Sequence, residues 1–306
     1  MIAESMEGIP TAFEELRLRG FQAVEAGRLE EAEQLYEQAL AWARQYGDPN
    51  LVDLALCNRA AAAIDLGRGE RELPRLREIL MRNADPVNCR IAAYNIARYY
   101  DLNKQFKKAL FYAQIARDRS EHLGRQEWLA SSHNQIGNLL LAESFFEKAC
   151  WEFEQALSLS PANAGDAEVR RAMIKDNLGY CYSVQGRHQE AFRLLFESYR
   201  SLRRVCAIRY SVLPQMALCF AYLEVGRPAR ALRWGRKALE AAEETGYSEA
   251  VKNLLYLLGE AANLTGDLEL ARNYFSRLQR SYYPEAGYLP EFLLAIDVRK
   301  LVNLRA

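Results

Sequence analysis

The sequence predicts an all-α protein, a solenoid of about seven helix-turn-helix repeats followed by a C-terminal capping helix. Three observations predict this fold: small residues recur at a near-constant interval, apolar residues between them follow the 3.6-residue period of helices, and glycine or proline interrupts the pattern regularly. Half of the 306 residues are hydrophobic and 26% are charged, with 17 Gly and 9 Pro. Such a composition is typical of a folded, helix-rich chain.

The interval is defined by one reference position in each repeat. These positions are 40, 37, 40, 42, 40 and 40 residues apart and are occupied by Gly20, Ala60, Ala97, Gly137, Gly179, Cys219 and Gly259. Twelve residues after each reference the chain has Ala32, Glu72, Ala109, Ala149, Ala191, Ala231 and Ala271, so six of the seven are alanine. Small residues at both places allow two antiparallel helices to approach closely.

The fourth repeat shows the order of residues most clearly. Ile136 and Gly137 fall in its first helix, its second helix carries Ala149, Phe153 and Ala156, and Pro161 closes the repeat. This order resembles the tetratricopeptide (TPR) signature, although His133 and Leu140 replace its Trp and Tyr. The period exceeds the usual 34 residues by about six, which lengthens each helix pair. The likeness is to long-repeat TPR arrays such as kinesin light chain, the Pins adaptors and bacterial peptide receptors, and it implies a right-handed TPR superhelix.

The pattern divides the chain into three parts. Residues 1–11 are a flexible lead-in, and residues 288–306 are the capping helix, expected from about Pro290 to Leu304. Between them, residues 12–283 form one continuous array with repeats at about 13–48, 50–84, 88–124, 127–161, 167–206, 209–246 and 248–283. The second repeat departs most from the pattern because Glu72 replaces alanine, and its second helix is expected to be short, from about Leu73 to Met81.

Charge and cysteine usage narrow the class of partner and the location. Forty basic residues balance forty acidic ones, which favours neither nucleic acid nor an anionic membrane as a partner. There is no secretory signal, no apolar run of about eighteen residues and no signature of a particular oligomeric state. We therefore expect a cytoplasmic protein with reduced, near-core thiols at Cys57, Cys89, Cys150, Cys181, Cys206 and Cys219.

Catalytic motifs are missing from the sequence. The three histidines, His122, His133 and His188, form no HExxH pair, and no GxSxG or glycine-rich phosphate loop occurs. The sequence therefore predicts a protein that is not an enzyme and needs no metal or cofactor. An enzyme would require a catalytic constellation that the sequence does not display.

A row of carboxamides is the main candidate for function. Two residues before the reference, four consecutive repeats carry Asn58, Asn95, Gln135 and Asn177. A carboxamide can pair with both polar groups of an extended peptide backbone. At helix spacings of about 10 Å, four would span about ten peptide residues. The row resembles the asparagine ladder of peptide-binding TPR proteins, which implies that it holds a peptide in the concave groove. The alternative is that these residues bond to neighbouring helices and set the spacing between repeats.

Neighbouring side chains on the first helices are expected to add selectivity. The candidates for peptide contact besides the row are Tyr94, Arg98, Asn134, Asn138, Asp176, Tyr180 and Phe220. The aromatic residues among them could equally belong to the core.

We therefore predict a non-enzymatic interaction module or scaffold that binds an extended peptide or protein segment. The alternative is a receptor for a diffusible peptide that acts on a partner protein. The first repeat begins almost at once, which leaves no room for the DNA-binding or effector domain of bacterial peptide receptors, and this favours a scaffold.

Overall fold

A computed structural model describes residues 10–25, 27–161, 166–205 and 208–305. Throughout these ranges the regular structure is helical and includes no strand. The contacts divide the chain into two compact units, which we call unit 1 (Met1–Leu139) and unit 2 (Leu140–Ala306). The sequence predicted a single continuous array, residues 12–283, without this division. Most of the predicted lead-in, the loop at 162–165 and Cys206 lie outside the described residues.

The helices of unit 1 follow the predicted alternation of first and second helices. They are α1 (Thr11–Glu25), α2 (Leu29–Tyr46), α3 (Pro49–Asp65), α4 (Leu73–Arg82), α5 (Pro86–Leu102), α6 (Phe106–His122) and most of α7 (Gln126–Ala142). The division between the units falls inside α7. A short 3-10 turn, Gly69–Glu72, precedes α4, which is the short second helix expected in the second repeat.

Unit 2 continues the alternation and ends with a short helix. Its helices are α8 (Phe146–Leu159), α9 (Asp166–Val184), α10 (His188–Arg204), α11 (Ile208–Glu224), α12 (Pro228–Glu244), α13 (Ser248–Leu264), α14 (Leu268–Tyr282) and α15 (Leu289–Ala295). We call the odd-numbered helices from α1 to α13 the A helices and the even-numbered helices the B helices.

The turn from each A helix to its B helix has the same backbone geometry. Seven residues after every reference position, within the described ranges, lies a residue with a positive φ angle: Gly27, Gly67, Lys104, Ser144, Gly186, Gly226 and Gly266. A left-handed residue ends the A helix and reverses the chain in a short turn. The reference positions therefore mark a true structural repeat.

The small reference residues lie where the paired helices touch. A Cβ atom added to Gly259 would be 2.3 Å from the ring of Phe275, and one added to Gly20 would be 2.5 Å from the ring of Tyr36. In the sixth repeat the glycine lies on the B helix and not at the reference position: the reference residue is Cys219, and the residue that faces it from the B helix is Gly235. A Cβ at Gly235 would lie 3.0 Å from the Cys219 sulfur. One small residue in each of these pairs keeps the helices close.

Glu72 occupies a position that is alanine in the other six repeats, and an ion pair compensates the burial of its carboxylate. Its carboxylate is 2.8 Å from Nη2 of Arg59, and Arg59 also pairs with Glu37 at 2.7 Å. Glu72 is 3% exposed. A buried carboxylate is tolerated when a cation and hydrogen bonds accompany it.

The predicted capping helix is shorter than expected. Helix α15 ends at Ala295, and Ile296 is extended, with φ −131° and ψ 124°. Apart from a 3-10 turn at Arg299–Leu301, the residues up to Arg305 are not helical. They lie instead against A helices of unit 2. Polar side chains of those helices bind groups of the segment that hydrogen bonds within a helix would otherwise satisfy.

Candidate peptide-binding site

Two of the predicted carboxamides connect neighbouring A helices of unit 1. Asn95 on α5 donates from Nδ2 to the carbonyl oxygen of Cys57 at 2.8 Å, and Gln135 on α7 donates from Nε2 to that of Tyr94 at 3.1 Å. Asn95 is 2% exposed and Gln135 is 7% exposed. Each acceptor directly precedes the carboxamide of the previous repeat. These amides therefore perform the bridging role, and their contact with a peptide stays a prediction.

The other carboxamides differ from these two. Asn58 on α3 is buried, and its Nδ2 has no hydrogen-bond partner among the described residues. Asn177 on α9 is half-buried.

The remaining predicted residues of unit 1 lie on α5 and α7. Tyr94 and Asn134 are half-buried, and Asn138 is exposed. Arg98 pairs with Asp65 on α3 at 2.8 Å. Burial raises the pKa of Asp65, and the Arg98 guanidinium opposes this rise. No peptide-like segment is described against these side chains.

In unit 2, a segment of the chain itself lies across the A helices. We call Asp297–Arg305 the crossing segment. Arg305 anchors one end of it by donating from Nη2 to Oδ2 of Asp176 on α9 at 2.8 Å. The guanidinium also lies 5.4 Å from the centre of the Tyr180 ring, within the range of a cation–π contact. Burial raises the pKa of Asp176, and Arg305 opposes that rise.

Both polar main-chain groups of Leu304 are bound by side chains of A helices. Its N–H donates to the hydroxyl of Tyr180 at 3.1 Å, and its carbonyl accepts from Nδ2 of Asn253 on α13 at 3.1 Å. The residue is 4% exposed. This is the kind of main-chain contact that the carboxamide row was expected to make, but Asn253 supplies it from outside that row.

Asn303 adds contacts of its own beside Leu304. Its Nδ2 donates to the carbonyl of Leu141 at 2.7 Å and to the Ser144 hydroxyl at 3.0 Å. The Tyr180 hydroxyl donates to its Oδ1 at 3.4 Å. Burial raises the pKa of Tyr180 to about 12, so the phenol keeps its proton near neutral pH. The Phe220 ring on α11 packs 5.4 Å from the Tyr180 ring.

Arg299 anchors the other end of the crossing segment. It donates from Nη1 to the carbonyl of Leu223 on α11 at 3.3 Å. Its guanidinium lies 3.9 Å from a carboxylate oxygen of Glu224 and 3.8 Å from one of Glu260 on α13. Burial and the nearby Asp297 raise the pKa of Glu260 to about 7, although Arg299 opposes this.

These contacts define a candidate site, which we call the A-helix site. Its members contact the crossing segment from the A helices of unit 2: Leu141, Asp176, Tyr180, Leu223, Glu224, Asn253 and Glu260. Asp176 and Tyr180 were candidates from the sequence, and the other five were not. Glu260 lies one residue after its reference, as Tyr180 and Phe220 do, so the repeat register indicates it. Glu224 and Asn253 stand at positions that carry no candidate in any repeat. Their one signal is a polar side chain within an otherwise apolar helical stretch.

The described ranges include no cluster of three or more His, Cys, Asp or Glu side chains suited to a metal ion. None of the described helices combines the length and apolarity needed to cross a membrane. Cys57, Cys89, Cys150, Cys181 and Cys219 are buried free thiols.

Comparison with known proteins identifies the fold. No protein-family model matches the chain, and no curated protein matches its sequence. Among solved structures, a Rap protein complexed with Competence and Sporulation Factor has 14% identity and a TM-score of 0.68, over 94% of this chain and 78% of that one. NprR in complex with its cognate peptide NprX also has 14% identity and a TM-score of 0.68, over 95% and 83%.

A tetratricopeptide repeat protein from Parabacteroides merdae is similar at 18% identity, with a TM-score of 0.55 over 96% of this chain and 100% of that one. At such identities the likeness concerns the fold. The chain therefore has the all-α, TPR-type helical repeat fold.

Proposed function

We propose that this protein is a non-enzymatic binding module that holds an extended peptide or protein segment on the A-helix site. The single observation that carries the proposal is the crossing segment. It is non-helical around Leu304, and side chains of the A helices bind both polar main-chain groups of that residue. A site that satisfies one non-helical chain in this way has the chemistry to satisfy another.

The contacts combine affinity with selectivity. Tyr180 and Asn253 bind main-chain groups, which every peptide possesses. Asp176 is a buried carboxylate, and it favours a cation at one position of the bound chain. The similar structure of NprR is in complex with its cognate peptide NprX, and that of the Rap protein is complexed with Competence and Sporulation Factor, which supports the same use of the fold here.

A second candidate is a receptor for a diffusible peptide that acts on a partner protein. The length of the crossing segment favours it, because a ligand that replaces Asp297–Arg305 needs no more than about nine residues. Tight binding of a short synthetic peptide would support the receptor. Capture of a folded partner only would support a scaffold. We take the location to be the cytoplasm, where buried thiols stay reduced.

The test is selection from a random peptide library displayed on phage, with the full chain as the target. Binders are then measured against the variants Asp176→Asn and Asp118→Asn. Asp118 is a matched control because it is an exposed aspartate on α6 of unit 1, paired only with its neighbour Arg117 among the described side chains. The proposal predicts binders that lose affinity with Asp176→Asn and keep it with Asp118→Asn. A selection without binders, or with binders unaffected by Asp176→Asn, would refute it.

A further inference from the structure

The A-helix site is acidic, and its carboxylates are shielded from water. Asp176 is 1% exposed and Glu260 is 3% exposed. The Glu224 side chain, also near Arg299, is 22% exposed. Oδ1 of Asp176 and Oε1 of Glu260 have no hydrogen-bond partner in the described part of the chain. Burying carboxylates is unfavourable unless cations accompany them. The site therefore requires positive charge from whatever occupies it.

The crossing segment supplies that charge at two places. It carries Arg299, Lys300 and Arg305 against the single acid Asp297. The Arg305 side chain is 9% exposed and the Arg299 side chain is 16% exposed, whereas Lys300 is exposed. Arg305 thus pairs directly with a carboxylate of the site. Arg299, six positions earlier, pairs with Asp297 of its own segment at 2.6 Å. It also lies 3.9 Å from Glu224 and 3.8 Å from Glu260, and the lysine faces solvent.

Between the arginines, two further residues fit the site specifically. Asn303 bonds to Leu141 and Ser144 through its carboxamide. Leu304 is buried, whereas Leu301 is 84% exposed. The site therefore distinguishes positions along the segment: it contacts a carboxamide and an apolar residue directly before the second arginine.

We propose that the crossing segment is an internal stand-in for the ligand of the A-helix site. The ligand is a cationic peptide with two arginines six positions apart and a carboxamide and an apolar residue directly before the second arginine. It takes the backbone shape of the crossing segment, which includes the 3-10 turn at Arg299–Leu301. It binds by displacing Asp297–Arg305. This inference rests on the proposed function, because it names the ligand class of the same site.

Tethering makes the crossing segment a strong competitor. A segment joined by a short connection is present at an effective concentration on the order of millimolar. An external peptide with the same contacts therefore binds weakly to the wild-type chain. A substitution that weakens only the crossing segment opens the site and strengthens the binding of the external peptide.

The test is fluorescence anisotropy with a labelled synthetic peptide, Asp-Val-Arg-Lys-Leu-Val-Asn-Leu-Arg, and a scrambled peptide of the same composition. The proteins are full-length wild type, Arg305→Ala, Arg305→Ala with Asp176→Asn, and Arg280→Ala. Arg280 is an exposed arginine on α14 whose Nε donates to the carbonyl of Ser276, so it controls for loss of a surface charge.

The proposal predicts that Arg305→Ala binds the peptide about tenfold or more tightly than wild type or Arg280→Ala, because the tethered competitor is weakened. Adding Asp176→Asn to the Arg305→Ala protein removes this gain in peptide affinity. Equal binding of the scrambled peptide, or no gain with Arg305→Ala, would overturn it. If Arg305→Ala loses its helical circular dichroism signal, Asn303→Ser replaces it with the same two outcomes.

Failure of this inference is distinguishable from failure of the proposed function. If the phage library yields binders that depend on Asp176 but lack the two arginines, the proposed function stands and this ligand class is wrong. If no binder depends on Asp176, both are wrong.

Discussion

Arg305 and Asp176 form a buried ion pair at 2.8 Å although 129 positions separate them in the sequence. The Asp176 side chain is 2% exposed and that of Arg305 is 9% exposed. A pair so shielded is screened little by salt. It joins the crossing segment to α9, and the predictions below concern either this segment or the repeat structure that presents the site.

We expect Asp176→Asn to lower the free energy of unfolding by about 1–3 kcal/mol. Removing one partner leaves the other charge buried, which costs about 3–5 kcal/mol in a rigid site. In this protein the crossing segment can detach from the A helices. The loss of stability therefore cannot exceed the free energy with which the segment is bound to them. Urea denaturation measures the change, and Asp118→Asn should stay within about 0.5 kcal/mol of wild type. Equal losses of unfolding free energy in Asp176→Asn and Asp118→Asn would contradict the stabilising role of the Arg305–Asp176 pair.

Gly259→Ala should destabilise unit 2 by about 1–3 kcal/mol, because the added methyl group collides with the Phe275 ring. Gly287→Ala is the control, since a Cβ there meets nothing within 4 Å. The double variant with Phe275→Leu should recover part of the loss. Thermal unfolding followed by circular dichroism measures all three. A loss that Phe275→Leu leaves unchanged would show that the ring is not the obstacle.

The sequence predicted the repeat well because close helix packing restricts residue size locally. Gly259 and Ala271 lie within one helix pair, so their spacing indicates the fold. Glu72 departs from the pattern for a reason that a repeat alignment does not contain, namely the cation Arg59. The carboxamides lie on successive A helices, as their spacing indicated, but the sequence alone left open whether Asn95 bonds to a peptide or to a neighbouring helix.

The crossing segment could not be predicted in the same way. Leu304 contacts Tyr180 and Asn253, which are 124 and 51 positions distant. Such contacts leave no periodic signal. The apolar residues at Phe292, Leu293, Ile296, Leu301 and Leu304 suggested one long helix, but the structure ends α15 at Ala295. After α15 ends, Arg299 and Arg305 bind partners on the A helices.

Asn95→Ala should lower the free energy of unfolding by about 0.5–1.5 kcal/mol, because it removes the side-chain hydrogen bond to the carbonyl of Cys57. Asn103→Ala is the control, since the Asn103 amide bonds to the carbonyl of Tyr99 in an exposed position. Urea denaturation compares the two. If Asn95→Ala preserves stability and weakens peptide binding instead, the bridging role is wrong and the peptide role predicted from the sequence is right.

Glu260 should make stability depend on pH between about 4.5 and 7. Its pKa rises from 4.5 to about 7 in the folded protein, so the folded state binds the proton more tightly. The stabilisation is complete below the unfolded pKa and is lost as the pH rises through about 7. Asp297 and Arg299 act on the carboxylate in opposite directions.

The difference in unfolding free energy between wild type and Glu260→Gln isolates this group from all other titrations. It should fall from pH 4.5 to about 7 and then level off. A difference that rises over this interval would show that the carboxylate is stabilised in its ionised form.

Hydrogen exchange at the amide of Leu304 tests the central claim most directly, because this N–H donates to the Tyr180 hydroxyl on the A-helix site. In the full-length wild-type chain we predict that this amide is protected. It should exchange faster in Asp176→Asn and remain protected in Asp118→Asn. It should lose its protection when the unlabelled peptide of residues 297–305 is added in excess. An amide that exchanges at the rate of an unstructured chain in the wild-type protein would contradict the account.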